Sequence, residues 1–167
     1  LEETSGKVAG KDFGVAMNPE FLREGKAVYD FMHPDKIVVG AIDQKSGDIV
    51  SELYRTFKCE ITRTNLSTAE MIKYANNSLL ATKISFTNEI GNICKKLNID
   101  TYEVMDAVGK DSRISPRFLN SGAGFGGSCF PKDVKALIGK AKEIGYSPAL
   151  LESVIGVNEK QPILMTE

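Results

Sequence analysis

The sequence predicts a mostly helical chain in which a short α/β stretch, a βαβ unit with a parallel sheet, precedes an all-α region built on one long helix. Three observations carry this expectation. Strand-like runs occur only in the first part: FGVAMNP (13–19), KIVVGA (36–41) and CEITRT (59–64). From residue 67 to about 97 no proline interrupts a helical apolar pattern. Beyond it, helix-like segments alternate with glycine and proline stops. The division this suggests is 1–65 and 66–167.

Taken in order, the second and third strand-like runs are joined by DQKSGDIVSELYRTF, whose Ile49, Leu53 and Phe57 recur every four residues, as one face of a helix requires. Strand, helix and strand at these lengths make a βαβ unit with parallel pairing. STAE (67–70) reads as a capping box, with Ser67 at the N-cap and Glu70 three positions on. The long helix that follows has an apolar stripe of Ile72, Leu79, Phe86, Ile90, Ile93 and Leu97. A second stripe holds Lys73, Asn77, Leu80 and Ile84, so the helix is expected to lie between a core and a partner. A shorter helix starts after Asp100 as N-cap and stops at Gly109. A loop with proline and glycine (110–130) leads to Pro131, which suits the start of a helix because its missing N–H costs nothing there. That helix is expected to stop at Gly145, and ALLESVIGVNEK forms the last one.

Composition excludes several function classes. Lys and Arg number 21 against 22 for Asp and Glu, a net charge of −1, with no basic cluster to hold a nucleic acid. The apolar runs are far shorter than the roughly 20 residues a membrane-spanning helix needs. The three cysteines, Cys59, Cys94 and Cys129, form no CxxC pair and argue against a disulfide framework or a zinc site. The single histidine, His33, reads as a loop residue, and no metal site is expected. A cytoplasmic setting fits this cysteine usage and the lack of a secretory-signal pattern at the start. The opening LEETSGK and closing PILMTE read as a piece of something longer.

GAGFGG (122–127) matches the G-x-G-x-x-G string formally. A dinucleotide fingerprint follows a strand and opens a helix directly, whereas SPRFLNS precedes this string and the helix begins only near Pro131, so the match is rejected. The neighbouring thiol is more informative. Cys129 is expected near a helix N-terminus, with Lys132 close by, and both features favour a thiolate. Flexible glycines before it let a substrate approach closely. For Cys59 and Cys94 the expected role is that of buried small hydrophobes.

NPEFLREG (18–25), KYANNSLLATKIS (73–85) and GFGGSCFPKD (124–133) together resemble the UDP-glucose/GDP-mannose dehydrogenase family. The resemblance runs in order over essentially the whole chain and is greatest to the UDP-glucose branch, with GDP-mannose as the near alternative. It implies the end of a Rossmann-like NAD-binding domain followed by a central helical dimerisation domain. The activity implied is oxidation of the C6 alcohol of UDP-glucose to a carboxylate with NAD, in two hydride transfers. Since the NAD fingerprint is absent, the chain alone is expected to be inactive. A homodimer through the long helix is implied.

The resemblance also assigns roles. Cys129 is the nucleophile that makes a thiohemiacetal and then a thioester. Lys73 and Asn77 stabilise the oxyanion and orient water, Asp133 orients Lys73 or water, and Glu20 is the base for thioester hydrolysis. Glu20, Phe21, Leu22, Arg23, Lys73, Asn77, Arg113, Asn120, Gly124, Phe125 and Gly126 match sugar-nucleotide positions. Glu24, Cys129 and Lys132 match positions beside the cofactor. Two other readings compete: an inactive helical dimerisation module, and a thiol-redox protein using Cys129 alone.

Overall fold

A computed structural model describes residues 1–166. The chain divides into two units, Leu1–Lys73 and Tyr74–Glu167. Among the described residues the elements are, in order, α1 (Glu2–Ser5), β1 (Ala16–Met17), α2 (Ala27–Met32), β2 (Ile37–Ala41), α3 (Gln44–Leu53), β3 (Ile61–Thr64), α4 (Leu66–Leu97), α5 (Thr101–Gly109), α6 (Phe130–Glu143) and α7 (Ala149–Leu164). The chain is mostly helical, with a small sheet and one long helix, as the sequence predicts.

In the first unit β2 is the central strand. It pairs in parallel with β3, Ile37 opposite Ile61 through Gly40 opposite Thr64, and α3 makes the crossover between them. Val38 and Val39 are fully buried here, each worth about 1.5–3 kcal/mol of burial. β1 adds to the other edge in antiparallel register, Ala16 opposite Ala41. It is much shorter than the expected 13–19 run. At its end Asn18 bonds the Val38 carbonyl with its side-chain amide at 2.7 Å, and Pro19 has no N–H to continue a ladder.

Helix α3 is capped by Asp43, which accepts from the Ser46 N–H at 2.7 Å and the Ser46 hydroxyl at 2.9 Å. Its buried residues are Ser46 and Gly47, while Ile49 and Leu53 are exposed, so the apolar face that announced the helix is not the face that packs. Small residues are used because the helix lies close: a Cβ at Gly47 would sit 2.0 Å from the Arg63 guanidinium. Helix α2 was not foreseen; His33, read as a loop residue, lies in the bend just after it and stacks on Tyr29. The start of α4 also differs. Asn65, not Ser67, supplies the cap, its Oδ1 accepting from the Thr68 N–H at 2.8 Å.

In the second unit α4 buries Asn77, Ser78, Ala81, Ser85, Asn88 and Cys94, a face of small and polar side chains. Most of its apolar stripe is outside: Leu79, Phe86, Ile93 and Leu97 are exposed, while Ile72 and Ile90 are half-buried. The core is Ala81, Phe125, Val134 and Val154, with Ile84, Phe130, Ile138, Leu151 and Ile155 packed around it. Ser85 donates to the Val154 carbonyl at 2.9 Å, which ties α4 to α7. Asp100 caps α5 as expected, accepting from the N–H groups of Tyr102 and Glu103. Pro131 lies in the first turn of α6. Among the described residues no helix is long and apolar enough to cross a membrane, and no cluster of potential metal ligands forms.

Candidate functional site

In the first unit the segment between β1 and α2 is irregular, because Pro19 and Gly25 bracket it and the chain must turn. It presents Glu20 to Lys73. The Lys73 ammonium donates to the Glu20 carboxylate at 2.8 Å and to the Glu20 carbonyl at 2.6 Å. The Lys73 side chain is only 16% exposed. The same ammonium lies 5.4 Å from the Phe21 ring centre, and Lys36 lies 4.5 Å from it, so two cations approach one aromatic ring. The other Glu20 oxygen accepts from the Leu22 N–H at 2.6 Å. Arg23 is held by Asp30 through its side chain and its backbone N–H. The hydrogen bond from Arg23 lowers the Asp30 carboxyl to about 2. Glu24 is exposed.

In the second unit Cys129 is the N-cap residue of α6. Its carbonyl accepts from the Asp133 N–H at 2.9 Å, closing the first turn, and its sulfur is half-buried, 3.6 Å from the Ser128 hydroxyl. Asp133 points inward and is nearly fully buried. Its Oδ2 accepts from the Asn77 amide at 2.6 Å and its Oδ1 from the Lys132 ammonium at 2.5 Å. That hydrogen bond, and then the charge of Asp133, raises the Lys132 pKa, with the Cys129 sulfur a minor cause. Burying a carboxylate is costly unless it is paired, and Asn77 with Lys132 supplies that pairing. Arg113 forms a fork with Asp111, which lowers the Asp111 carboxyl. Asn120 and Gly126 are exposed, and a Cβ at Gly126 would meet nothing within 4 Å.

The structure therefore pairs Glu20 with Lys73, and Asp133 with both Asn77 and Lys132. Arg23 and Arg113 each have a carboxylate partner that sequence reasoning missed. It also missed the amides around the glycine-rich loop. Asn158 holds the Phe125 peptide and Gln161 the Gly122 carbonyl, while Asn88 takes the Gly122 N–H. A signal existed, since Asn158 and Gln161 are three apart on a helix whose earlier residues are largely apolar. The GAGFGG string does lie in a loop, with no strand leading into it.

Residues 67–160 match the model of the UDP-glucose/GDP-mannose dehydrogenase family, central domain, and residues 1–58 match the NAD binding domain of the same family. This chain belongs to the UDP-glucose/GDP-mannose dehydrogenase family. The UDP-glucose 6-dehydrogenase of Haloferax volcanii is 48% identical over all of this chain and 40% of its own length. The GDP-mannose 6-dehydrogenase of Pseudomonas putida is also 48% identical, over 96% of this chain and 37% of its own. A solved UDP-glucose dehydrogenase from Pyrobaculum islandicum superposes with a TM-score of 0.87 at 46% identity, covering 90% of this chain and 35% of that one. The chain thus spans about 40% or less of the length of these relatives.

Proposed function

We propose that this chain is the end of the NAD-binding domain and the central domain of a nucleotide-sugar dehydrogenase that converts the C6 alcohol of UDP-glucose to the carboxylate. The observation that carries the reading is Cys129 at the tip of α6, half-buried, one helical turn before the buried pair Asp133–Asn77. When bound, NAD supplies the acceptor for the hydride lost from C6 in each of the two oxidations. Among the described residues no glycine-rich turn joins a strand to a helix. Glu24 and Lys132 are the groups assigned beside NAD here.

The chain's own residues then act as follows. The Cys129 sulfur adds to the C6 aldehyde and forms a thiohemiacetal, whose oxidation leaves a thioester. The Lys73 ammonium, short of water and already on an acceptor in Glu20, supplies positive charge to the oxygen that becomes negative. Asn77 offers its amide from a side chain fixed by Asp133, so little reorganisation accompanies the reaction. Glu20 takes a proton from the water that cleaves the thioester, releasing the acid and the free thiol. Arg113, with its planar fork, is assigned to the diphosphate, along with Asn120 and the 124–126 loop. Phe21, Leu22 and Arg23 are assigned to the sugar-nucleotide side.

A homodimer is part of the reading. The exposed stripe Leu79, Phe86 and Ile93 repeats every seven residues, the spacing that keeps one helix face against another helix. The setting proposed is the cytoplasm, where three free cysteines stay reduced. The test is to supply the complete enzyme with NAD and either UDP-glucose or GDP-mannose. Two NADH per UDP-glucose, and acid as product, are expected. Turnover of GDP-mannose alone would move the substrate to the other branch, and turnover of neither would overturn the reading.

A further inference from the structure

The loop that leads to Cys129 is fixed by side-chain amides rather than by secondary structure. Asn158 on α7 holds both polar groups of Phe125: its Oδ1 accepts from the Phe125 N–H at 2.7 Å, and its Nδ2 donates to the Phe125 carbonyl at 2.9 Å. Gly122 is held the same way by two residues. Asn88 on α4 accepts from its N–H at 2.7 Å, and Gln161 on α7 donates to its carbonyl at 2.9 Å. Gln161 is itself oriented by the Asn92 amide at 2.8 Å and is 2% exposed. A backbone residue whose N–H and C=O are both bound has the constraints of a strand residue in the middle of a sheet.

Two features carry the constraint from Asn158 to the thiol. The backbone of Gly124 adopts φ +97°, and a Cβ there would sit 2.5 Å from Asn158 Oδ1, so glycine at 124 is what lets the amide reach the next peptide. The Phe125 ring is buried and meets the Phe130 ring edge-on, centres 6.0 Å apart. Phe130 is the first residue of α6, directly after Cys129. Fixing the Phe125 peptide therefore fixes the ring that seats the start of the helix.

We infer that Asn158 is a positioning residue: by clamping the Phe125 peptide it sets where the Cys129 sulfur stands at the tip of α6, with Asn88 and Gln161 anchoring the loop upstream. The inference deepens the proposed function and rests on it for its catalytic meaning. Its test does not, because the position of a thiol is read by its reactivity without sugar or cofactor.

The experiment is alkylation of the chain with iodoacetamide, followed site by site by mass spectrometry, for wild type, Asn158→Leu and Asn158→Asp. Cys94, buried on α4 in the same unit, reports unfolding of that unit. The Asp variant keeps an acceptor for the Phe125 N–H but sets an oxygen against the Phe125 carbonyl, so it remains informative if the Leu variant unfolds. Expected is a rise of about fivefold or more in the Cys129 rate in either folded variant, with the Cys94 rate unchanged. A Cys129 rate within twofold of wild type overturns the inference. So does a parallel rise at both cysteines in both variants, which would make Asn158 a residue that merely holds the fold. A complete enzyme that fails to oxidise sugar nucleotides would sink the proposed function and leave the alkylation result standing.

Discussion

The Asn77 amide donates to the Asp133 carboxylate across 2.6 Å, and the two side chains are only 5% and 3% exposed. A buried carboxylate that loses a donor suffers the full cost of its desolvation, whereas an exposed partner is replaced by water. Asn77→Ala is therefore expected to destabilise the chain by about 1.5–3 kcal/mol. Lys132→Ala, which removes the exposed half of the network, is expected to cost under about 1 kcal/mol. Urea unfolding of the two variants checks the order, and equal losses would contradict it.

The long helix shows what could be read in the sequence and what could not. Its existence and its end at Leu97 followed from an unbroken helical spacing without proline. Of its buried face, the second stripe announced Asn77 and Ile84, but Ser78, Ser85 and Asn88 are residue types that composition assigns to solvent, and only Ser85 among them has its side-chain polar atoms fully met, by the Val154 carbonyl of α7. The same inversion occurs in α3, where Ser46 and Gly47 pack while Ile49 and Leu53 face out. Strand β1 was read too long: of the strand-like run 13–19 only Ala16 and Met17 pair, and Asn18 turns its amide to the Val38 carbonyl. At the site, the residue types were legible from motifs, but the pairings of Lys73 with Glu20 and Asp133 with Asn77 join positions 53 and 56 apart in sequence. No local spacing reports contacts of that range.

Gly40 on β2 leaves no room for a side chain. An added Cβ would lie 2.5 Å from the Ala69 Cβ and 2.7 Å from the Asn65 carbonyl oxygen, a backbone atom at the start of α4. Gly40→Ala is expected to cost about 1–3 kcal/mol, as overpacking does. Gly91→Ala meets first the Ser121 hydroxyl, a side-chain end that can rotate away, and is expected to cost less. Thermal melts of the two variants give the comparison.

Asp30 gives the first unit an acid limit. Its pKa is lowered from 3.8 to about 2 by the hydrogen bond from Arg23. A depressed carboxyl contributes stability that is complete above its unfolded value and lost as pH falls through its folded value. The contribution should hold above about pH 4 and fade toward pH 2. Asp30→Asn is expected to lower the urea midpoint at pH 7 and to differ far less from wild type at pH 2, where the folded carboxyl is about half protonated. A gap as wide at pH 2 as at pH 7 would contradict this assignment.

The exposed stripe on α4 predicts self-association. Phe86→Glu, at a position 51% exposed, puts a charge in the middle of the stripe. Sedimentation should find a dimer for the wild-type chain and a monomer for the variant, with the helical circular dichroism of both alike.

The most direct measurement is the product made by the complete enzyme when Cys129 is replaced by Ser. A serine hydroxyl at the tip of α6 adds far less readily to the C6 aldehyde, so the second oxidation has no covalent intermediate to act on. Acid formation from UDP-glucose is expected to fall by about 10³-fold or more, with product no more oxidised than the aldehyde. Glucuronate produced by Cys129→Ser at the wild-type rate would contradict the account.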